Sequence, residues 1–485
     1  MASLTRKIAS NTLVSYAGRV VSSVFALLTI GLMTRSLGQE GFGQYTIVIA
    51  YVSLFVILSD LGLQVLMTRE ISRAAKGFDE IASNFFSLRL ISSLLFLFAG
   101  FGAAFAFPYP TEIKIGIGIG ALGFFFLSIN QLLLGIFQKH LAMHMAAAAE
   151  IAGRGGQFLF VYLIYAYAGG FGSSALLFLL LIAMSAASFI MFFLHFLFAR
   201  RYVRVGLRFD FSYWREILKT AWPIALSIVL TLIYFKIDAI FLSLMKPAAD
   251  VGIYGAAYRV LEGLIFFPAM FAGIMMPILA RDAVSSMKQF KKTFTKSMRV
   301  ITVFAVPLTA GGILLSYSIA NLIGGKEFLI SGAPLQPLFI ATGLIFFGNL
   351  LGRAVVALDL QKKAMFAYLF GVVLNVVLNL IFIPKYSYMG AAWTTVVTEF
   401  LVVVFLFYFV YKKTGAVLNI TEFVKAAFAA AVMYVALYFF VSPITTPLSF
   451  LGLGLAMLAG AGAYFGVLCL VGGIGREEIL AIVKK

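Results

Sequence analysis

Fourteen apolar runs, most of twenty residues or more and separated by short polar connections, leave this 485-residue chain few ways to fold. They fall near residues 12–34, 44–67, 84–107, 113–138, 142–168 and 173–199. A second series follows near 217–245, 253–280, 298–323, 335–358, 364–384, 389–411, 422–442 and 447–473. A helix crosses hydrocarbon with about 20 mainly apolar residues, so fourteen of them consume about 280 to 300. That is nearly the whole apolar inventory of a chain that is 62% hydrophobic. Only 12% of residues are charged, against about a quarter in ordinary soluble domains, and the mean hydropathy is +1.03. The expected fold class is an all-α polytopic membrane protein of about 14 transmembrane helices, with twelve as the alternative count, and no water-soluble domain.

The charges decide orientation. With the N-terminus in the cytoplasm, alternate connections carry 24 of the 37 Lys and Arg residues, among them Arg69, Lys76, Arg200, Arg201, Lys288, Arg476, Lys484 and Lys485. The opposite connections carry only Arg35, Lys246, Lys326 and Lys385. Cations accumulate on the cytoplasmic side, so the reading is a cell-membrane protein with both termini cytoplasmic. The net charge of +18 then reports sidedness, and no nucleic-acid partner is needed. The first apolar run is a first span: it is long, and no small-residue cleavage pattern follows a short core. The longest connection, 200–216 (RRYVRVGLRFDFSYWRE), is basic and aromatic, as expected of a segment lying on an anionic inner leaflet.

An internal repeat at an offset of about 209 organises the spans. Gly41-Phe42-Gly43-Gln44-Tyr45 opens the second and Asp250-Val251-Gly252-Ile253-Tyr254 the eighth, with Arg89 opposite Arg299 one span later. Two pseudosymmetric six-helix lobes (1–199 and 217–411) are expected, joined by the basic linker 200–216 and followed by a C-terminal helix pair and tail (412–485). Both lobes begin on the cytoplasmic side, so the repeat is parallel, an arrangement used by rocking transporters.

Catalytic chemistry finds little purchase. There is no phosphate-binding Gly-Lys loop, HExxH, nucleophile elbow or CxxC, and the single Cys469 permits no internal disulfide. His140 and His144 have two-ligand helix spacing without a third ligand and read as an interfacial pair. Gly116 and Gly120 read as close helix packing. The chain is expected not to be an enzyme, with no cofactor and no metal.

Charges inside spans cost about 2.5–3.5 kcal/mol each at a helix centre and so mark candidate sites. The cations are Arg19, Arg154, Lys236, Arg259 and Arg353, with Arg89 close enough to the inner boundary to snorkel; the acids are Asp60, Glu150, Asp238, Glu262 and Glu399. Glu150 with Arg154 (i, i+4) and Arg259 with Glu262 (i, i+3) can pair on one helix face. Lys236 and Asp238, two apart, cannot. Arg19, two turns into the first span, has no nearby acid and therefore needs a partner on another helix, water or an anionic ligand. Asn375 and Asn379, one turn apart and followed by Pro384, Gly390-Ala391-Ala392 and Thr394-Thr395, mark either interhelical hydrogen bonding or a solvated cavity.

These segments resemble the polysaccharide transporter family, the O-antigen and exopolysaccharide flippases of a superfamily that also holds lipid II flippases and multidrug antiporters. The resemblance rests on 11–19, Leu37-Gly38, Phe42-Gly43-Gln44-Tyr45, Asp60-Leu61-Gly62-Leu63, Thr68-Arg69-Glu70-Ile71, Lys236-Ile237-Asp238, Ala256-Ala257-Tyr258-Arg259, Gly325-Lys326-Glu327-Phe328 and the Asn375 to Ala392 series. It implies two bundles around a central cavity that alternates access and moves a polyprenyl-pyrophosphate-linked oligosaccharide, with membrane lipids, a glycan polymerase and glycosyltransferases as partners. Arginine is a planar, permanently charged phosphate ligand, so Arg19, Arg259, Arg353 and Lys236, with Asn375 and Asn379, are the candidate substrate-binding residues. Asp60, Asp238 and Glu399 are the candidate coupling or cavity acids, with H+ or Na+ as the coupling ion. The lipid II flippases carry a similarly placed first-span arginine, but here the second span carries Asp60 in place of another cation. The alternative is a proton- or sodium-coupled multidrug antiporter using those same acids. A membrane glycosyltransferase or polymerase would need an external acidic motif and usually a sizeable external domain, and no external connection is that long.

Overall fold

The computed structural model describes residues 2–73, 77–167, 169–417, 419–441 and 447–473, with side chains from residue 17 onward except at 65, 72, 73, 220 and 222–234. The orienting cations Lys76, Arg476, Lys484 and Lys485 lie outside these residues. Among the described residues the chain forms fourteen α-helices and no strand. In order they are α1 (Ala2–Asp60), α2 (Leu63–Arg73), α3 (Phe78–Ala103), α4 (Thr111–Lys139), α5 (Met143–Tyr167), α6 (Ser173–Ala199) and α7 (Phe211–Met245), then α8 (Ala248–Leu264), α9 (Phe266–Ser285), α10 (Met287–Gly324), α11 (Gly332–Ala357), α12 (Gln361–Thr414), α13 (Ile420–Val441) and α14 (Phe450–Leu470).

Ten helical stretches among the described residues are long and apolar enough to cross a bilayer. Many of their large apolar side chains, such as Leu95, Phe98, Phe439 and Leu458, point outward. That is the pattern of helices solvated by lipid, where the backbone satisfies itself and the outer face is free to be apolar.

Two helical runs are too long for one crossing. α1 has 59 residues and α12 has 54, about 80–90 Å at 1.5 Å per residue against a core of about 30 Å. Each is interrupted. Gly38 adopts φ 63, ψ −174 in α1, and Ser387 adopts φ 49, ψ −131 in α12. Each run thus holds two of the expected spans. Close approach follows the second break: a Cβ on Gly390 would stand 2.5 Å from the Phe382 carbonyl oxygen and 3.0 Å from the Ile383 nitrogen.

The structure also divides a run that hydropathy joins. The expected second span, 44–67, ends at Asp60, because Leu61 (φ 48) and Gly62 (φ 71) are left-handed before α2 starts at Leu63. A change of backbone conformation leaves apolar content untouched, so hydropathy does not register it. The expected eighth span, 253–280, passes from α8 to α9 at Ile265, whose backbone stays right-handed helical (φ −68, ψ −11) and donates to the Leu261 carbonyl at 3.0 Å, so the two run on as one apolar stretch.

The chain divides into two compact units, 1–252 and 253–485. In the first, α1 packs on α3, α4, α5, α6 and α7, and α4 lies along α6. The expected Gly116/Gly120 packing is present: a Cβ on either glycine would stand 3.0 Å from a Val48 methyl. Within this unit Gly43 and Gly252 meet backbone to backbone. A Cβ on Gly43 would overlap the Ala248 carbonyl oxygen, and one on Gly252 would overlap the Gln39 carbonyl oxygen. Gln39 and Ala248, like Gly43 and Gly252, are 209 residues apart. The contact is therefore reciprocal, as between elements related by a two-fold axis, and it falls at the repeat offset.

In the second unit α11 packs on α9, α10 and α12, while α13 and α14 pack on each other and on α10. Arg299 of α10 ties that pair down: its Nε lies 3.3 Å from Glu422 of α13, and its Nη2 donates to the Gly473 carbonyl at 2.6 Å. Lys425 donates to the Gly472 carbonyl at 3.0 Å.

Candidate functional site

In the first unit the best-formed charged group joins Asp60 to Arg89. Asp60 ends α1, where a carboxylate meets the negative end of a helix dipole, and needs a compensating cation. Arg89 supplies it, its Nη1 donating to Asp60 Oδ1 at 2.6 Å. Arg89 is 0% exposed. Its Nε donates to the Ser128 carbonyl at 3.2 Å, and its Nη2 reaches Gln131 Oε1 at 3.5 Å. Ser92 donates to the Ser59 carbonyl at 2.9 Å, and the Ser93 and Ser128 hydroxyls share a 2.6 Å bond. The expectation that Arg89 snorkels is overturned. It is fully buried, and its guanidinium turns to Asp60, Ser128 and Gln131 instead of to water.

Arg19 lies on the open face of α1. Its neighbour Gly18 faces α5 closely enough that a Cβ would stand 2.6 Å from that of Ala147. The next side chains round the helix, Arg19 and Val20, are exposed, and the Arg19 carbonyl accepts from Ser23 Oγ at 2.9 Å. In α7, Asp238 is buried at 3% exposure and Lys236 is half-buried. The expected Glu150–Arg154 pair is absent: Arg154 is exposed and turns to Gln157 Oε1 at 3.4 Å, and Glu150 is half-buried with no ion pair among the described residues. A neutral partner one turn on satisfies the guanidinium while leaving it in contact with solvent.

In the second unit Arg259 and Glu262 pair at 2.8 Å, both about one quarter exposed, near the C-terminal end of α8. Asn379 Nδ2 donates to Asn375 Oδ1 at 2.9 Å, and both side chains are buried. Arg353 of α11 is exposed, while Glu399 of α12 is buried at 4%. Tyr368 stands in the electrostatic reach of both, its hydroxyl 3.1 Å from where a Gly352 Cβ would be. Tyr368 is thus within electrostatic range of Arg353 and Glu399, and Arg259 with Glu262 forms an ion pair.

The remaining motifs are structural. His140 stacks on Tyr202 at 4.7 Å, and burial, then Lys139, holds its imidazole below the ordinary histidine range. Among the described residues no three His, Cys, Asp or Glu side chains gather as a metal site.

Residues 8–283, more than half of the chain, match the family model described as "Polysaccharide biosynthesis protein". The chain belongs to the polysaccharide transporter family. The MatE model matches residues 223–381 of this transporter. A "Probable flippase AglR" of Haloferax volcanii is 24% identical over 260 residues, 52% of this chain and 53% of that protein, so the match spans about half of its length. A "Putative O-antigen transporter" of Shigella flexneri is 22% identical over 79% of this chain and 93% of its own. The fold is that of the lipid II flippase MurJ in an inward closed conformation, with a TM-score of 0.76 at 16% identity, covering 94% of this chain and 98% of that one. An inward-facing multidrug MATE transporter gives 0.65 at 17% identity, over 83% and 99%.

The in-span charges of the transporter differ in exposure. The exposed ones are Arg19, Arg154 and Arg353, whereas the cation Arg89 is buried and Lys236, Arg259, Glu150 and Glu262 are half-buried. Asp238 and Glu399 are buried, and Asp60 is held by Arg89. Two residues of these groups are not among the candidates that the sequence suggests. Arg89's role is hidden there because Asp60 lies 29 residues away. Tyr368 is legible in principle, seven residues before Asn375 and hence on the same helix face.

Proposed function

We propose that the transporter is a flippase carrying a polyprenyl-pyrophosphate-linked oligosaccharide from the cytoplasmic to the outer leaflet of the cell membrane, by alternating access, for surface polysaccharide biosynthesis. The observation that carries this reading is the sign of the accessible in-span charge. Arg19 and Arg353 present permanent, multidentate phosphate ligands, whereas the acids that a cation carrier would expose are buried or tied up in an ion pair. A pyrophosphate cannot enter hydrocarbon uncompensated, so an exposed arginine at membrane depth suits an anionic head group. Arg19 is assigned to the pyrophosphate, and Arg259 and Arg353 are the further candidate phosphate ligands. Lys236, Asn375 and Asn379 are assigned to the glycan and cavity. Both termini are cytoplasmic in this reading, with lobes 1–199 and 217–411, the linker 200–216 and the helix pair 412–485. No cofactor takes part, and the driving ion is H+ or Na+, for which Asp238 and Glu399 are the candidate acids.

Arg19→Glu should abolish surface glycan export while leaving membrane insertion intact; unchanged export overturns the assignment. The MatE match over 223–381 supports a second reading, a multidrug antiporter. Robust proton-driven uptake of cationic dyes into vesicles holding the purified chain would favour it.

A further inference from the structure

The connection between α6 and α7 is an ordered strap. The backbone N–H groups of Arg204, Gly206, Arg208 and Asp210 donate to Asp79 Oδ1 at 2.8 Å, Ser83 Oγ at 3.0 Å, Ser87 Oγ at 2.8 Å and Asn84 Oδ1 at 3.2 Å. Donation by every second residue is the signature of an extended segment, and the acceptors form one polar face of α3. An Arg208–Glu80 ion pair at 2.7 Å adds to the attachment, and Val203 is buried. Facing α3, the strap satisfies its backbone. Its other side is different. Leu207, Phe209 and Phe211 are 65%, 53% and 73% exposed, and both phenylalanine rings pack on the buried Trp214, at 5.9 Å and 5.2 Å. Residues 200–219 carry six cations, Arg200, Arg201, Arg204, Arg208, Arg215 and Lys219, against two acids, Asp210 and Glu216, and α3 adds Asp79 and Glu80, the latter paired with Arg208.

We infer that this strap is a binding surface for anionic phospholipid head groups, with Leu207, Phe209 and Phe211 entering the acyl boundary and the arginines taking lipid phosphates. Three observations select a lipid surface as the occupant. The strap begins one residue after an apolar span that ends at Ala199, so the surface beside it is the bilayer. Exposed apolar side chains in a basic segment are the composition of interfacial anchors. Basic residues beside a membrane attract anionic lipid by about 1 kcal/mol each, about fivefold per cation. The inference is independent of which cargo the transporter moves.

Trp214 provides the probe, since it touches both anchors and the only other tryptophans are Trp222 and Trp393. The full chain carrying Trp222→Phe and Trp393→Phe is reconstituted in phosphatidylcholine with either brominated phosphatidylglycerol or brominated phosphatidylcholine at equal mole fraction. Trp214 quenching should favour the anionic lipid by at least about fivefold, and the preference should shrink in high salt. Adding Arg201→Gln, Arg204→Gln and Arg215→Gln, which leaves the strap's backbone bonds and the Arg208–Glu80 pair in place, should bring the two lipids to parity. Equal quenching by both lipids before those three changes overturns the inference without reference to any variant's folding. A preference that survives the triple substitution overturns it as well.

Discussion

Replacing Asp60 by Asn keeps the side chain's shape and one carbonyl oxygen but leaves the Arg89 guanidinium, 0% exposed, among neutral acceptors: the Ser128 carbonyl, Gln131 and the new amide. Removing one partner of a buried ion pair costs about 3–5 kcal/mol. Asn retains one acceptor, so the lower end, about 3 kcal/mol, is expected. That is a large share of the roughly 5–15 kcal/mol that keeps a typical domain folded. Removing both charges is different, because apolar replacement of a buried pair is often neutral or stabilising. Asp60→Leu with Arg89→Met should therefore recover most of the loss. The assay is a four-protein cycle of parent, Asp60→Asn, Arg89→Met and the double apolar variant, with thermal unfolding in one detergent and glycan export in cells. Both singles should melt well below the parent, and the double should melt near it and still export. If Asp60 were a coupling acid, Asp60→Asn would melt at the parental temperature yet fail to transport. That outcome refutes the structural role.

Gly43→Val places a branched side chain against the Ala248 carbonyl, backbone that cannot rotate aside, and should cost about 1–3 kcal/mol. Gly102→Ala, which meets nothing within 4 Å, should not lower the melting midpoint and, inside helix α3, should raise it slightly. Arg299→Gln breaks the ion pair to Glu422 and the bond to the Gly473 carbonyl. Amide exchange should rise in α13 and α14 but not in α11; equal protection would show that packing alone holds the helix pair. Tyr368→Phe removes the hydroxyl beside Gly352, and should lower transport at unchanged protein yield if Tyr368, Arg353 and Glu399 belong to the path.

Helix positions are legible wherever apolar content changes along the chain, and illegible where only the backbone turns. Hydropathy runs the second span straight through Leu61 and Gly62, since both continue its apolar run. Among the charges, distance in sequence sets what can be read. Arg259 and Glu262 are three residues apart on one helix, so their pairing follows from helical geometry. Asp60 and Arg89 meet only through the packing of α1 against α3, and nothing in either segment names the other. Glu150 and Arg154 show the limit of spacing arguments: the right separation permits a pair, yet Gln157 takes the guanidinium instead. The basic linker is legible as a surface segment, but its docking requires Asp79, Ser83, Asn84 and Ser87 on one face of α3 to be seen as acceptors for backbone about 120 residues away.

The central claim, that an exposed first-span arginine receives the anionic head of a lipid-linked glycan, is tested most directly in vesicles containing only the purified chain and a labelled polyprenyl-pyrophosphate oligosaccharide. Accessibility of the label to an added glycan-modifying enzyme reports transfer between leaflets. The parent should equilibrate the label under an imposed H+ or Na+ gradient, Arg19→Lys should retain part of that activity, and Arg19→Glu should retain none. Full transfer by Arg19→Glu, or a parent that takes up cationic dye while the labelled lipid stays in its original leaflet, would contradict the account.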